Sequence, residues 1–598
     1  MFNVPLRPLG TQERSMVNVQ CSMEYAHAYI TNSVPYIGRT WKAIPDSLFR
    51  EFKTTGNRTH YEDACFALRK QFANLAMGEI MEQQGRFIPD IVRGLRYFKD
   101  EVWWGIPAHY PKDHPERDIQ VVDLFNAETA NMLAWAVYML HDQLEAAQKG
   151  ITDTIRSEIV RRMLIPALHE DYSWKHSADN WNPWICENWL SCVLLCEDYP
   201  QRRDDAIAQI ATCLQTFYDL NPDDGGCDEG IFYWERAAAS LFQCLILSEQ
   251  LRATLNTSLS KLRNMARYVF ATYISYNTYV NFADAQTYFC PKPNILFPIG
   301  RYLEDDDLLG FAATIAQRTN LFNDVRNSFS NQDFPSLSRE LLFLADIDTW
   351  KSITPREPAI RDSYLPNSQI FTARDSEGTT DGLFVAMKGG NNAEHHNHND
   401  VGHFVVYADA KPLLIDIGRC TYTAQAATHR YEHFNMRSAY HNVPLVNGTE
   451  QKAGKQYKAT LTDYSSNDSR ATMTLDLTDA YPAEAQLSHW QRIVTLHRGN
   501  RVEINENYRL KRYQQPTELV LVSCGNTRLI TPGRIAVDVG SATHYISYNP
   551  RQLTPVIELI QTDDPLILKA WQNSPLYRVR LIVNSHSLRG NITYSVER

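Results

Sequence analysis

From about residue 60 to 350, apolar side chains recur at i, i+3, i+4 and i+7. That pattern predicts helices over 66–83, 123–149, 151–165, 203–220, 234–251 and 258–275. In 123–149, Leu124, Met132, Trp135, Ala136, Met139 and Leu140 fall on one stripe. Pro166 predicts the stop of the helix that begins at Ile151. Turns rich in Pro, Gly and Asp, such as Asn221 to Gly226, separate the helices. Amphipathic helices of about 15–20 residues in hairpin succession suggest an (α/α) toroid or solenoid. No sequence repeat is strong enough to name a repeat family.

After about residue 360 the period changes. Short β-branched and aromatic runs occupy 383–387, 403–407, 459–462, 471–475, 493–497, 502–508, 518–522, 556–560, 578–583 and 592–596. Turns such as Arg498-Gly499-Asn500 separate many of them, the pattern of antiparallel sheets stacked as a sandwich. Pro355, Pro358 and Pro366 interrupt the helical period and mark the linker. The expected organisation is multidomain α and β. An arm over 1–60 packs on the helical domain, an (α/α) toroid covers 61–355, and an antiparallel β-sandwich covers 356–598.

Composition narrows the function classes. Hydrophobic residues make up 44% and charged residues 21% of the 598, as in soluble globular proteins. A net charge of −10 and the lack of a Lys/Arg-rich block argue against nucleic-acid or membrane-surface partners. A polyanionic substrate remains compatible, because the local field of a cleft steers it, not the net charge. The eleven cysteines are scattered and contain no CxxC pair, so reduced thiols are expected rather than a disulfide framework. The N-terminus lacks the apolar run of a signal peptide, and no stretch is long enough to span a membrane. The chain as it stands reads as cytoplasmic, or periplasmic if a signal peptide was trimmed. Monomer and homodimer are both open.

The densest chemical signal is Glu394-His-His-Asn-His-Asn-Asp-Val-Gly-His403, with four histidines and two acids in ten residues. So many histidines have little packing reason to sit together, which points to a metal or acid/base site. With a strand that begins early, His396, His398 and Asp400 would point to one side. Asp416 lies inside the apolar run Leu413 to Gly418, where a carboxylate needs a partner. His441 follows in Ser438-Ala-Tyr-His-Asn442. Zinc held by His398, Asp416 and His441 would account for all three. In the helical half, Asp179 to Trp189 stacks three Trp and three Asn at a helix entrance. Asp223 to Arg236 uses Gly225, Gly226 and Gly230 to present Glu229 and Tyr233. Trp103-Trp104-Gly-Ile-Pro-Ala-His109 is a further aromatic loop. Such loops suit the apolar faces of sugar rings, and each is equally compatible with core packing.

Together these motifs resemble the heparinase II/III-like polysaccharide lyases. The resemblance is carried by His396-Asn-His398-Asn-Asp400-Val-Gly402, Leu414-Ile-Asp416-Ile-Gly418 and His441-Asn442, with Asn180-Trp-Asn182 and Glu229-Gly-Ile-Phe-Tyr233-Trp in the helical half. It implies an (α/α) toroid followed by β-sandwich material with the cleft between them. The implied reaction is β-elimination, removal of the C5 proton of a uronic acid with expulsion of the 4-O-linked sugar. By resemblance Tyr233 is the base and also the acid, and His396 neutralises the carboxylate or acts on the opposite C5 epimer. Asn180 or Asn182, with Asn180 favoured, binds the carboxylate. Trp181 stands where some relatives place a histidine, and His109 is the candidate substitute. Trp104, Trp181, His109, Glu229 and Arg236 complete the candidate substrate-binding set. Arg236 could assist Tyr233 or pair with an acid on a neighbouring helix. Zinc at His398, Asp416 and His441 is implied as structural, holding the loops that present His396. The implied partner is an acidic polysaccharide such as hyaluronan, chondroitin, heparan sulfate or a related uronan.

Three rival readings follow from the same residues. A zinc hydrolase would use an open metal position and Glu394 as base. A toroid glycoside hydrolase would use two carboxylates, Glu229 with Glu187 or Asp179. A glycan-binding protein would need only the Trp-rich loops.

Overall fold

The structure, a computed structural model, describes residues 23–110, 121–421 and 429–598. The chain combines a helical N-terminal part with a β-sheet C-terminal part. It divides into two compact units. The first holds the described residues up to 220 together with 235–259 and 291–356; the second holds 221–234, 260–290 and 357–598.

The first unit is helical. Trp181–Cys196 packs against Leu124–Met139, Pro200–Leu220 and Ala238–Leu247. The stripe foreseen for 123–149 is too narrow. Residues 126–137 are buried on every face, so this helix lies inside the unit. It also ends at Leu140, and His141–Ala147 is a separate helix. Its start is set by Asp123, whose carboxylate accepts the Asn126 backbone N–H at 2.7 Å. Pro166 does not stop the helix from Ile151. A π-turn over Val160–Leu164 absorbs the missing donor, and the chain runs on through Ile165–His169. Of the foreseen arm, residues 1–22 lie outside the described residues. Met23–Ser33 is a helix packed on Thr59–Glu82. The two approach at Gly78, where a Cβ would fall 2.6 Å from that of Ser33.

The second unit is built on two antiparallel sheets. One has eight strands in the order Thr460–Ser466, Arg470–Asp476, Leu487–His497, Arg501–Leu510, Arg589–Glu597, Ala542–Tyr548, Arg534–Val539, Asn526–Thr531. The other runs Leu553–Leu559, Leu576–Val583, Glu518–Cys524, Lys411–Leu414, Phe404–Ala408, Leu383–Lys388, Ile370–Arg374, Asp362–Leu365, with Pro444–Leu445 also on Glu518–Cys524. Inward side chains of both sheets, among them Val385, Met387, Val406, Trp490, Val494 and Ile504, form one core. Leu383–Lys388 is buried at all six positions. Its second face, with Phe384 and Ala386, is covered by Ile274, Val280 and Phe282. That cover explains an unbroken apolar run where one-sided burial would alternate, and it places the loop after Phe282 beside the histidine-rich segment.

Of the described cysteines, the nine other than Cys290 are buried free thiols. No described helix is long and apolar enough to cross a membrane.

Candidate active site and metal centre

Tyr233 is presented by a short helix, Ile231–Trp234. Ile231 and Trp234 are buried, and the Trp234 indole donates to the Met265 carbonyl at 2.7 Å. Gly230 precedes it at φ +83°, and a Cβ there would lie 2.6 Å from the Phe282 carbonyl oxygen. Only glycine permits that approach. Tyr233 is thereby turned onto His396, their rings stacked at 4.3 Å and 16°.

His396 does not sit on a strand. Residues 393–402 are turns and loop, the strand begins at Phe404, and His396 has φ +56°. Strand alternation therefore does not align His396 with His398 and Asp400. The left-handed residue turns His396 outward, 30% exposed, while His398 and Asp400 are fully enclosed. The His396 Nδ1–H donates to Asp284 Oδ2 at 3.0 Å, and Nε2 lies 3.4 Å from Glu229 Oε2. Glu229 is buried and faces this ring instead of solvent. Asp284 also accepts from His398 Nε2 at 3.2 Å and pairs with Arg430 at 2.8 Å. Burial alone would raise the Asp284 carboxyl. The hydrogen bonds from His396 and His398 and the charge of Arg430 hold it well below the usual range instead.

Behind His396, the side chains of His398, Asp400, Asp416 and His441 converge, their ligand atoms all within 4.8 Å of one another and all four residues buried. The three sequence candidates thus lie together, and Asp400 joins them. Carboxylates and carbonyls only accept, so partners fix the tautomers. His398 gives its Nε2–H to Asp284, which leaves a lone pair on Nδ1. His441 gives Nδ1–H to the Arg437 carbonyl at 2.9 Å, which leaves one on Nε2. Those two nitrogens are 3.0 Å apart. Two facing lone pairs beside two carboxylates could hold a cation; the nitrogen and oxygen donors are of the kind zinc takes, and a carboxylate–histidine contact backs them. His403 is not a ligand by the same reasoning. Its Nδ1 accepts the Asn442 N–H at 2.9 Å, so its Nε2 carries the proton, 3.4 Å from Asp416 Oδ2.

Electrostatics agree with that arrangement. Burial pushes His441 and His403 below their ordinary values and so keeps both rings neutral. Burial raises the Asp416 carboxyl, against the pull of His441 and His398. Asp400 resists burial through Lys388, 2.8 Å away, and is held low.

The other candidates lie in the helical unit. His109 donates from Nδ1 to Asp123 at 2.9 Å, stacks on Phe125 and touches the Trp181 ring at 4.6 Å. Arg236 pairs with Glu128 at 2.9 Å across the face of Trp184, so it meets an acid on a neighbouring helix. Asn182 is committed internally, since its amide nitrogen donates to the carbonyls of Lys175, Ser177 and Cys213. Asn180, at the start of Trp181–Cys196, is buried as well.

Trp104 is core, not a sugar platform. It is 0% exposed, its indole N–H goes to the Phe98 carbonyl at 2.9 Å, and Arg162 covers its ring. The aromatic density of that loop was packing. Trp104→Ala is expected to cost about 3–5 kcal/mol in stability and to leave the KM of any turnover unchanged, read as a urea midpoint and a substrate titration.

Two rivals lose support. Glu187 is locked with Arg339 by a bidentate pair of 2.7 and 2.5 Å, which leaves the toroid glycoside hydrolase reading only Asp179 as a partner for Glu229. The four candidate ligands have no solvent-exposed surface, whereas a hydrolytic metal keeps an open position.

Sequence reasoning missed Asp284 as a site residue. It stands as one acid among Phe282, Ala283 and Ala285, a setting without a motif. Arg430 and the orienting Asp123 were missed for the same reason.

The fold and site define an α-plus-β protein whose sheet unit carries a histidine–carboxylate centre. Residues 361–517 match the family described as Heparinase II/III-like, C-terminal. Its structure is similar to that of a heparinase III, with a TM-score of 0.68 and 12% identity over 99% of this chain and 87% of that one. It is also similar to heparan sulfate lyase HepC from Pedobacter heparinus, with a TM-score of 0.58 and 12% identity over 89% and 76%. No curated protein matches the chain.

Proposed function

We propose that this protein is a polysaccharide lyase that cleaves uronic-acid-containing glycans, glycosaminoglycans or related uronans, by β-elimination. The observation that carries the reading is Tyr233 stacked on His396, with a buried histidine–aspartate centre behind it, in a chain whose residues 361–517 match the Heparinase II/III-like, C-terminal family. In this reading the helices form an (α/α) toroid and the two sheets a sandwich, supported by the likeness to heparinase III.

The reaction makes three demands. The C5 proton is weakly acidic while the adjacent carboxylate is charged, so donors must offset that charge as it spreads toward C5. A base must take the proton, and an acid must protonate the departing oxygen. Tyr233, as phenolate, takes the C5 proton; the electron pair forms the C4–C5 double bond as the C4–O bond breaks. The phenol then protonates the departing O4 and returns to phenolate. His396 offsets the carboxylate; Asn180, in the helical unit, is the candidate that the family resemblance adds for the same role. The Asn182 amide is engaged with the carbonyls of Lys175, Ser177 and Cys213.

His398, Asp416 and His441, with Asp400, would hold zinc. Bound there, zinc would supply cross-linking of three loops, the one carrying His396 among them. The burial of all four residues supports a structural role.

Incubation with hyaluronan, chondroitin, heparan sulfate and a plain uronan, followed by ultraviolet absorbance of the unsaturated uronate, tests the proposal. A rise with one of them is expected. New reducing ends without absorbance would overturn elimination in favour of hydrolysis.

A further inference from the structure

We infer that Asp284 is a positioning residue whose one carboxylate couples the metal centre to His396. The inference rests on the reading of His398 as a metal ligand and of His396 as a residue that meets substrate.

Asp284 is fully enclosed, and each of its oxygens holds a different histidine. Oδ1 accepts from His398 Nε2 at 3.2 Å, and Oδ2 accepts from His396 Nδ1 at 3.0 Å. Arg430 meets Oδ2 at 2.8 Å and donates to the backbone carbonyls of His396 at 2.7 Å and Asn397 at 3.0 Å. The carboxylate and the loop it orients are therefore clamped by the same guanidinium. The segment around Asp284 is tied on both sides. Asn281 donates to the Asp416 carbonyl at 3.0 Å, and Phe282 presses its carbonyl against Gly230, at the start of the Tyr233 helix. Ala283 has φ +59°, unusual for a residue with a Cβ, so the surroundings hold this backbone in place.

A carboxylate shared by two imidazoles cannot move for one without moving for the other. When His398 is fixed through Nδ1, its ring orientation sets Oδ1, and the rigid carboxylate sets Oδ2 and with it His396. When His398 is released, it is free to turn, and His396 loses its fixed acceptor. The two-residue spacing of His396 and His398 would not give this coupling by itself, because the left-handed turn at His396 sends the two rings in different directions.

The test uses the full chain, zinc-loaded and chelator-treated, as wild type, Asp284→Asn and Asp284→Glu. Carbethoxylation of His396, which is partly exposed, is followed by mass spectrometry, and zinc affinity is measured by competition with a chromogenic chelator. In wild type, zinc removal is expected to raise the His396 modification rate about tenfold, and Asp284→Asn is expected to weaken zinc binding by about 10–100-fold. In Asp284→Asn, His396 should react fast with or without zinc. Asp284→Glu keeps the charge one methylene further out and carries the comparison if Asp284→Asn does not fold. An unchanged wild-type rate on zinc removal, an equal response in wild type and variant, or a wild type that takes up no zinc would each overturn the inference. None of these readouts uses turnover. A chain that shows the coupling but never produces unsaturated uronate would sink the proposed function and leave the coupling standing.

Discussion

Tyr233→Phe should lose kcat by about 10²–10⁴-fold, the contribution of a well-placed acid–base group, while the protein stays folded. The change removes one hydroxyl and keeps the ring. The stacking on His396 at 4.3 Å survives, as do the anchors beneath it, buried Ile231 and Trp234 with its bond to Met265. KM should move little, since a phenolic oxygen that acts on the C5 proton contributes mainly in the transition state. Initial rates from ultraviolet absorbance, with a melting curve beside them, separate chemistry from unfolding. A kcat within about threefold of wild type would place the base elsewhere, with His396 next in line.

Removal of the metal should destabilise the sheet unit more than any single surface change. Without a cation, the lone pairs of His398 and His441 face each other at 3.0 Å beside buried Asp400 and Asp416. Lys388 offsets only one of those carboxylates. An uncompensated buried charge costs about 3–5 kcal/mol. At about 2–4 °C per kcal/mol for a unit of this size, the melting temperature should fall by roughly 10 °C. His441→Ala should give a similar loss that added zinc does not restore. Differential scanning calorimetry with and without chelator, alongside metal content by emission spectroscopy, measures both. A protein that contains no metal as purified and melts alike under both conditions would refute the ligand assignment.

Local periodicity made much of the fold legible. All ten foreseen strand runs overlap strands of the two sheets, because alternation and β-branched runs are written in adjacent residues. Strands such as Asn526–Thr531, Arg534–Val539 and Ala542–Tyr548 escaped notice. Asn526–Thr531, exposed at five of its six positions, carries a weak apolar signal. Helices failed where context overrode local rules. Leu124–Met139 is buried all round, and a π-turn carries the chain through Pro166.

The site divides in the same way. Histidines have few structural reasons to cluster, so His396, His398 and His441 stood out in the chain. Aromatic residues serve cores and sugar platforms alike, so Trp104 misled and only its enclosure settled its place. By itself the sequence determined the two periodicities, the order of helical and sheet regions and the residue types for a histidine–carboxylate centre. Tertiary structure alone decided that 260–290 joins the sheet unit, that Asp400 converges with His398, Asp416 and His441 and that Asp284 holds two histidines at once. The physical reason is range. Periodicity reflects neighbours a few residues apart, whereas Asp284 meets His396 and His398 across more than a hundred residues, and no local pattern encodes such a contact.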